Sequence, residues 1–445
     1  MKKSIRKCIA SVMAVLITTS SGLLSDNFSK IAFAEITSNP VISQNCPAYS
    51  QTGMSSYAND EHYFSFWNSS GADYLAYDLS EVPEDQRKKV IVVWYNATGQ
   101  FDYTVANGGS NGLPSDYTIE VNSADGCVYP EEGWEVIEAV TGNTLHSRQH
   151  IVDMNGYNWI RMNITGNDGK IGGNTSINMD IHNVSNGISD SWIFYGDSIT
   201  ACGMMNCYGT GFAEFVNQLD SRYFPIQENG GIGGITSTHG AENIDRWLEA
   251  FPGKYVSVAY GTNDAWGNPS NTEKYYKNTA YMVEKIIEAG KVPIIPKIPY
   301  ATEKAVGDNV PAYNVMIEKI YENYPEVIKG PDFETLFREN PDLLSSDGVH
   351  PNDNGYATMR ELWASTMYET VYLADSEIKS VVGDVNSDDE FTVADLVMMQ
   401  KWLLGSGTLT DWKAGDLNKD SVIDVFDMCM MRKLFAQYMQ INSVD

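Results

Sequence analysis

The pattern of apolar residues changes near Ser191, and this change divides the chain into regions that cannot share one fold. Before it, residues 35–189 hold short runs of β-branched and aromatic residues, such as Val90–Tyr95, between Gly and Asn clusters. After it, apolar strand patterns alternate with amphipathic helical patterns. The sequence therefore predicts a jelly-roll-like, all-β sandwich at 35–189, followed by a three-layer α/β fold with a parallel sheet at 190–375.

Four tryptophans fall in the predicted β region: Trp67, Trp94, Trp134 and Trp159. Aromatic side chains at strand positions usually pack in a core, whereas a row of exposed ones can stack against sugars. The sequence favours the core and leaves the sugar platform open.

The chain is strongly acidic. It has 30 Lys and Arg against 58 Asp and Glu, a formal net charge of −28. Such a surface repels phosphate backbones and anionic lipid headgroups, so we expect no nucleic-acid partner.

Residues 1–34 have the pattern of a secretory signal peptide: cationic residues, an apolar run from Cys8 to Ile17, and Ala32-Phe33-Ala34. The alternative is a membrane anchor, but a run of about ten residues is too short for the roughly 20 that span a bilayer. We expect a secreted, extracellular protein without membrane insertion. Removing five cationic residues and one Asp would lower the net charge by four, to −32.

Five cysteines would remain, an odd number that does not suggest a disulfide scaffold. Cys202 and Cys207 are close enough in sequence to bridge, a Cys46–Cys127 pair stays open, and Cys429 lies in a helical pattern that predicts a small buried residue. The sequence has no CxxC or HExxH spacing, so we expect no catalytic metal or other catalytic cofactor.

Four polar blocks occur in the α/β region, three of them after predicted strands. They are Gly196-Asp197-Ser198-Ile199, Asn229-Gly230-Gly231-Ile232-Gly233-Gly234, Gly261-Thr262-Asn263-Asp264 and Asp347-Gly348-Val349-His350. Ligands of such sheets bind beyond the carboxyl ends of the strands. Together the blocks supply a hydroxyl nucleophile, backbone N–H donors, an amide and a carboxylate three residues before an imidazole, which are the parts of an acyl-transfer site.

Each block also has a simpler interpretation. Ser198, Asn263 or Asp264 could cap a helix, and His350 could be a structural histidine. The glycine-rich stretch could hold a phosphate, although it lacks the GxGxxG order and a following GK[ST]. The ordered occurrence of all four blocks favours the acyl-transfer hypothesis.

These four blocks resemble the SGNH (GDSL-type) hydrolase family over about 185 residues. The resemblance implies Ser198 as nucleophile, His350 as general base and then acid, and Asp347 as the group that orients His350. It also implies an oxyanion hole made by the backbone N–H groups of Ser198 and Gly234 and the side chain of Asn263. A preceding β-sandwich is similar to the carbohydrate acetylesterase branch of the family.

An α/β-hydrolase elbow, GxSxG, occurs at Gly108–Gly112. No buried strand leads into it and no helix follows it, so we interpret it as a loop of the β region.

The last 65 residues contain an acidic pattern that repeats with an offset of 32 residues. Oxygen side chains occupy loop positions 1, 3, 5, 9 and 12 of each copy, the arrangement of a calcium loop. The predicted ligands are Asp384, Asn386, Asp388, Thr392 and Asp395 in the first copy, and Asp416, Asn418, Asp420, Asp424 and Asp427 in the second. Helices are predicted at Leu396–Leu404 and Met428–Phe435. The alternative is a solvated acidic loop pair.

This duplicated loop and helix resembles a dockerin, which implies two structural Ca²⁺ ions and binding to a cohesin of a scaffoldin, as in a cellulosome. Position 6, usually Gly, is Asp389 and Ser421 here. The predicted domains are a signal peptide (1–34), the β-sandwich (35–189), the hydrolase (190–375), a linker (376–380) and the dockerin (381–445).

The sequence therefore predicts a secreted, scaffold-borne serine esterase with a monomeric catalytic unit. Its expected substrate is an acetylated plant cell-wall polysaccharide, most of all xylan. The alternatives are a deacetylase of another glycan, such as mannan, pectin or peptidoglycan, and a largely non-catalytic carbohydrate-binding scaffold component.

Overall fold

The computed structural model describes residues 40–60, 62–96, 112–167, 174–185, 190–205, 210–373, 382–386, 388, 390–418 and 422–441, the last six without their side chains. The predicted signal peptide, the linker at 376–380, Cys207, Asp389, Asp420 and Ser421 lie outside these residues. So does the GxSxG stretch, except for Gly112.

The first region consists of antiparallel strands in two sheets. The strands are β1 (Ala48–Tyr49), β2 (Trp67–Asn68), β3 (Asp73–Asp78), β4 (Lys89–Asn96), β5 (Pro114–Asn122), β6 (Glu135–Val140), β7 (Ser147–Asp153), β8 (Trp159–Asn167) and β9 (Ser176–Asn183). One sheet has the order β1-β3-β8-β5-β6 and the other β2-β9-β4-β7. Short 3₁₀ helices occur at Ser55–Ala58 and Glu84–Gln86. The two antiparallel sheets agree with the all-β prediction, and the jelly-roll description stays a prediction.

Alternate residues of both sheets meet in one hydrophobic cluster. Leu75 and Tyr77 of β3 contribute to it, as do Val90 and Val92 of β4. This period of two is what strands with one covered face require.

Three of the four tryptophans that could have formed a sugar platform are buried. Trp67, Trp94 and Trp159 have no exposed surface. Trp134 is half-buried, and the Arg161 guanidinium lies 4.1 Å from the centroid of its ring. The favoured core interpretation is therefore confirmed for these three, and the alternative of a platform of all four tryptophans is excluded.

The second region contains a parallel sheet in the order β11-β10-β12-β13-β14. Its strands are β10 (Ser191–Gly196), β11 (Ile226–Gly231), β12 (Tyr255–Ala259), β13 (Val292–Lys297) and β14 (Ile328–Asp332). Its helices are α1 (Ser198–Gly203), α2 (Phe212–Leu219), α3 (Ser237–Ala250), α4 (Thr262–Ala265), α5 (Thr272–Glu288), α6 (Lys304–Gly307), α7 (Val310–Asn323), α8 (Phe333–Glu339) and α9 (Asp353–Met367). A 3₁₀ helix (Pro341–Leu343) precedes α9, and a π-helical turn (Tyr368–Tyr372) follows it.

Helices cover both faces of this sheet. This explains why the sequence of the β10 strand is apolar on both faces. Ile193 and Tyr195 pack into one core, whereas Trp192 and Phe194 pack into the other. A strand with both faces buried has no polar side to alternate with. The predicted parallel α/β architecture is confirmed.

The two regions share buried contacts along β11. Leu145, which precedes β7, belongs to the same hydrophobic cluster as Ile232 and Trp247 of the α/β region. Ile91 and Ile226 belong to a smaller cluster across the same boundary. Burial raises the pKa of Glu228 on β11 to about 7, against hydrogen bonds from Ser147 and Gln149 that lower it.

The C-terminal region is helical, with α10 (Val393–Leu403), α11 (Trp412–Gly415) and α12 (Val425–Ile441). Val385, Met399 and Met431 are among the residues that form its core. Helices α10 and α12 each begin three residues earlier than predicted. Cys429 is exposed, so the prediction of a buried cysteine is wrong.

Candidate active site

Ser198 lies at the carboxyl end of β10, where the strand turns into α1. The N-cap of this helix is Asp197, whose Oδ1 accepts a hydrogen bond from the N–H of Ile199 at 3.0 Å. Ser198 is therefore the first residue of the helix and not its cap. Its hydroxyl does not serve the helix and is available for chemistry.

Ser198, His350 and Asp347 form a continuous hydrogen-bonded line. The Ser198 Oγ lies 2.8 Å from His350 Nε2, across 152 positions of sequence. On the other side of the ring, His350 Nδ1 lies 2.7 Å from Asp347 Oδ2. A ring that donates from Nδ1 to the carboxylate leaves Nε2 to accept the hydroxyl proton, which is the arrangement that activates a serine.

The Asp347 carboxylate is held by its own loop. Its Oδ1 accepts hydrogen bonds from Ser345 Oγ at 2.8 Å and from the N–H groups of Val349 and His350, both at 2.9 Å. Partial burial raises the pKa of Asp347, but these bonds and that of the imidazole outweigh it and lower the pKa well below its usual range. The group that faces the imidazole is thus an anion at neutral pH.

The three donors predicted for an oxyanion hole are Ser198, Gly234 and Asn263. Gly234 has a φ of +78°, and among the described residues none accepts a hydrogen bond from the backbone N–H of Gly234 or of Ser198. The side chain of Asn263 donates from Nδ2 to the carbonyl of Ile235 at 2.8 Å, which places the amide next to Gly234 and leaves it a second hydrogen. The predicted donors thus follow the carboxyl ends of β10, β11 and β12, which are neighbours in the sheet.

Asn229 ties the glycine-rich block to the helix that carries Ser198. Its Nδ2 donates to the carbonyl of Ala201 at 2.8 Å, and its Oδ1 accepts from the N–H of Gly231 at 3.1 Å. A Cβ at Gly231 would lie 2.3 Å from the Ala201 nitrogen, so only glycine allows this approach.

Asp264 has a structural partner. Its carboxylate accepts from the N–H of Ser237 at 2.9 Å and from the Ser237 hydroxyl, at the start of α3. Two residues of this block, Asn263 and Asp264, could have capped a helix, and it is Asp264 that contacts a helix end. That helix is α3 and not α4, the short helix that contains both residues.

Burial raises the pKa of Asp197 to about 7, against the hydrogen bond from Ile199. Asp197 belongs to the first polar block of the sequence, but the motif predicts no role for this buried carboxyl next to Ser198. A carboxyl between an apolar strand and an apolar helix was the available signal.

Cys46, Cys127, Cys202 and Cys429 are free thiols in the described part of the chain. No Cys46–Cys127 disulfide forms.

Acidic side chains converge in the first C-terminal loop. One carboxylate oxygen each from Asp384, Asp388 and Asp395 lies within 4.8 Å of the others. Three hard oxygen donors at this spacing fit a Ca²⁺ ion, which takes six to eight such ligands.

The two loops share a hydrogen-bond pattern. Asp395 accepts from the N–H groups of Asn386 and Thr392, and Asp427 accepts from those of Asn418 and Asp424. All of these pairs are offset by 32 positions, and both carboxylates are fully buried. The repeat that the sequence shows is thus a repeat in structure.

The position-9 side chains act as helix caps. Thr392 Oγ1 accepts from the N–H of Ala394 at 3.1 Å, and Asp424 Oδ1 accepts from the N–H of Phe426 at 2.7 Å. This explains the early starts of α10 and α12, since a cap fixes the residue after it as the first helical one.

The fold and this site define the central region as an α/β domain with a serine–histidine–aspartate arrangement. Residues 194–358 match the GDSL-like lipase/acylhydrolase family, and residues 382–436 match the dockerin type I domain. The chain therefore carries a GDSL-like hydrolase domain and a C-terminal dockerin, and both resemblances seen in the sequence are confirmed.

Several known proteins are similar to parts of the chain. A multidomain esterase from Ruminococcus flavefaciens is 26% identical over 180 residues, which are 36% of this chain and 23% of that protein. The chain thus matches about a quarter of the length of this relative. A psychrotrophic esterase from Pseudoalteromonas sp. covers 42% of the chain and 100% of its own, at 20% identity and a TM-score of 0.35. A lipase/acylhydrolase from Enterococcus faecalis covers 40% and 95%, at 18% identity and a TM-score of 0.35.

None of the helices in the described part of the chain is long and apolar enough to cross a membrane.

Proposed function

We propose that the protein is a secreted serine esterase that removes O-acetyl groups from plant cell-wall polysaccharide. The observation that carries this proposal is the line of hydrogen bonds from Ser198 through His350 to Asp347 at the carboxyl end of β10. The match of this region to a lipase/acylhydrolase family supports ester chemistry.

In the proposed mechanism, His350 takes the proton of the Ser198 hydroxyl while Oγ attacks the ester carbonyl. The N–H groups of Ser198 and Gly234 and the amide of Asn263 stabilise the negative charge on the carbonyl oxygen. The imidazolium, held by Asp347, then gives its proton to the sugar oxygen that leaves. Water attacks the acetyl-enzyme by the same route, which releases acetate and restores Ser198.

The choice of substrate is supported by the dockerin that accompanies the hydrolase domain rather than by the pocket of that domain. A dockerin implies attachment to a scaffoldin through its cohesin, and such an assembly acts on cell-wall polysaccharide. We place acetylated xylan first, with acetylated mannan, pectin and peptidoglycan as alternatives. Acetate release from these polymers, measured side by side, decides between them.

The same proposal includes export through the signal peptide at 1–34 and the domain limits given above. It also includes a monomeric catalytic unit and one Ca²⁺ ion in each dockerin loop. The first loop would hold its ion through Asp384, Asp388 and Asp395, and the second through Asp416, Asp424 and Asp427 among others. These ions would order the dockerin and take no part in ester hydrolysis.

The decisive test of the catalytic assignment is Ser198→Ala in the full chain. We expect this variant to lose ester hydrolysis and to keep its melting temperature and cohesin binding, because only the nucleophile is removed. Ser56→Ala, which changes an exposed serine of the β region, serves as the control and keeps full activity. Substantial hydrolysis by Ser198→Ala would exclude Ser198 as the nucleophile.

A further inference from the structure

Trp266 is an exposed tryptophan directly beyond the block that contains Asn263. Half of its surface, 50%, is open to solvent. A single exposed apolar side chain is common on proteins and needs no explanation by itself. Here, however, the position of Trp266 and the way its backbone is held both point to a ligand at the active site.

The first observation is the position of Trp266 as the C-cap of α4, a single helical turn. Asn263 and Trp266 are three residues apart, so they lie on the same side of the turn. The Asn263 amide donates to Ile235 in the loop of Gly234, which directs this side toward the proposed oxyanion hole. Trp266 therefore lies one helical turn from a donor of the reaction site.

The second observation joins Trp266 to the opposite side of the site. The N–H of Gly267 donates to the carbonyl of Ala305 at 2.7 Å. Within the same short segment, the N–H groups of Thr302 and Glu303 donate to the carbonyl of Gly348 at 2.8 and 3.2 Å. Gly348 lies between Asp347 and His350. Residues 302–305 therefore connect the backbone next to Trp266 to the loop that carries His350.

The backbone around Trp266 is fixed on both sides. Tyr313 Oη donates to the carbonyls of Asp264 and Asn268, both at 2.8 Å. Asn309 Nδ2 donates to the carbonyl of Ala265 at 2.8 Å, and Ala265 is fully buried. A side chain on such a backbone can bind a ligand without first ordering a loop.

We propose that Trp266 is the stacking platform for the sugar ring that carries the acetyl group, an inference that rests on the proposed function. The flat face of a pyranose presents C–H groups that an indole covers well, while its edge presents hydroxyl groups. Thr302 and Glu303 are exposed next to the loop that carries His350. The Glu303 carboxylate caps α6 through Oε1, which leaves Oε2 for those hydroxyls. A long acyl chain would instead require an enclosed apolar groove.

The test compares two substrates in Trp266→Ala, Trp266→Phe and a control. We expect Trp266→Ala to lower the ratio of kcat/KM on an acetylated xylo-oligosaccharide to kcat/KM on 4-nitrophenyl acetate by roughly ten- to a hundred-fold, because the small aryl ester does not need the platform. Trp266→Phe should recover most of the ratio. Phe64→Ala removes an exposed aromatic side chain of the β region and should leave both rates unchanged. An unaltered ratio in Trp266→Ala overturns the inference.

A binding measurement separates this inference from the proposed function. Calorimetry with xylohexaose and Ser198→Ala should give a dissociation constant that rises at least ten-fold when Trp266→Ala is added. Equal binding by the two variants contradicts the platform. If the wild-type protein releases acetate from none of the four polymers, the proposed substrate class is wrong, whatever Trp266 does.

Discussion

At the scale of single residues, Asn263 combines one observed hydrogen bond with the oxyanion contact that we propose. Its Nδ2 holds the carbonyl of Ile235, and that bond keeps the amide in place for its second hydrogen. An oxyanion donor must be oriented before the substrate arrives, since reorganisation during the reaction would cancel its benefit.

We therefore expect Asn263→Ala to lower kcat by roughly 10²–10³ with a modest change in KM, the scale of losing one oxyanion donor. Steady-state kinetics on 4-nitrophenyl acetate measure this. Asn155→Ala, at an exposed turn of the β region, is the matched control and should behave as wild type. A rise in KM with kcat intact would instead make Asn263 a group for binding the substrate.

At the scale of elements, the junction between β10 and α1 contains a buried acid. Asp197 caps α1, and its pKa is raised to about 7 because it is only 2% exposed. In the unfolded chain the same carboxyl ionises near pH 3.9. A raised pKa in the folded state means that its contribution to stability is present below pH 4 and is lost as the pH rises through 7.

Asp197→Asn should therefore stabilise the protein at pH 8, by up to roughly 4 kcal/mol, and much less at pH 4. The amide oxygen can still accept the hydrogen bond from Ile199, so the cap is kept. Thermal melts of both proteins at the two pH values test this. The same shift in melting temperature at pH 4 and pH 8 would show that the Asp197 charge is not the cause.

The elements also show what a sequence can and cannot predict. The β10 strand could be predicted because a strand with two buried faces has an apolar sequence. The residues of the proposed triad are recognisable because each occurs in a block with a characteristic pattern. In contrast, the ties that hold the site together, such as Asn229 to Ala201 or Thr302 to Gly348, join residues whose spacing follows no local rule. The exposure of Cys429 depends on which face of its helix packs, which the local pattern does not determine.

At the scale of the whole molecule, the proposed ion dependence is confined to one end of the chain. The first dockerin loop gathers the carboxylates of Asp384, Asp388 and Asp395, which repel one another without a cation between them. Ion binding and ordering of these loops are then a single equilibrium.

Treatment with EDTA should accordingly abolish binding to a cohesin and leave ester hydrolysis nearly unchanged, and added Ca²⁺ should restore binding. Cohesin binding and ester hydrolysis can both be measured on one sample. Loss of hydrolysis together with docking would mean that the esterase also needs a metal. Docking that survives thorough chelation would contradict the calcium assignment of the loops.

The contact between the β region and the hydrolase has a consequence for protein engineering. Leu145 belongs by sequence to the first region, yet it packs in the core of the second with Ile232 and Trp247. Arg246 of α3 likewise donates to the carbonyl of Thr144 at 3.0 Å. A chimera that transplants only the chain from Ser191 onward would leave a hydrophobic gap beside the glycine-rich loop. A fusion point at the proposed boundary near residue 190 would therefore remove the contacts that Thr144 and Leu145 make with the hydrolase region.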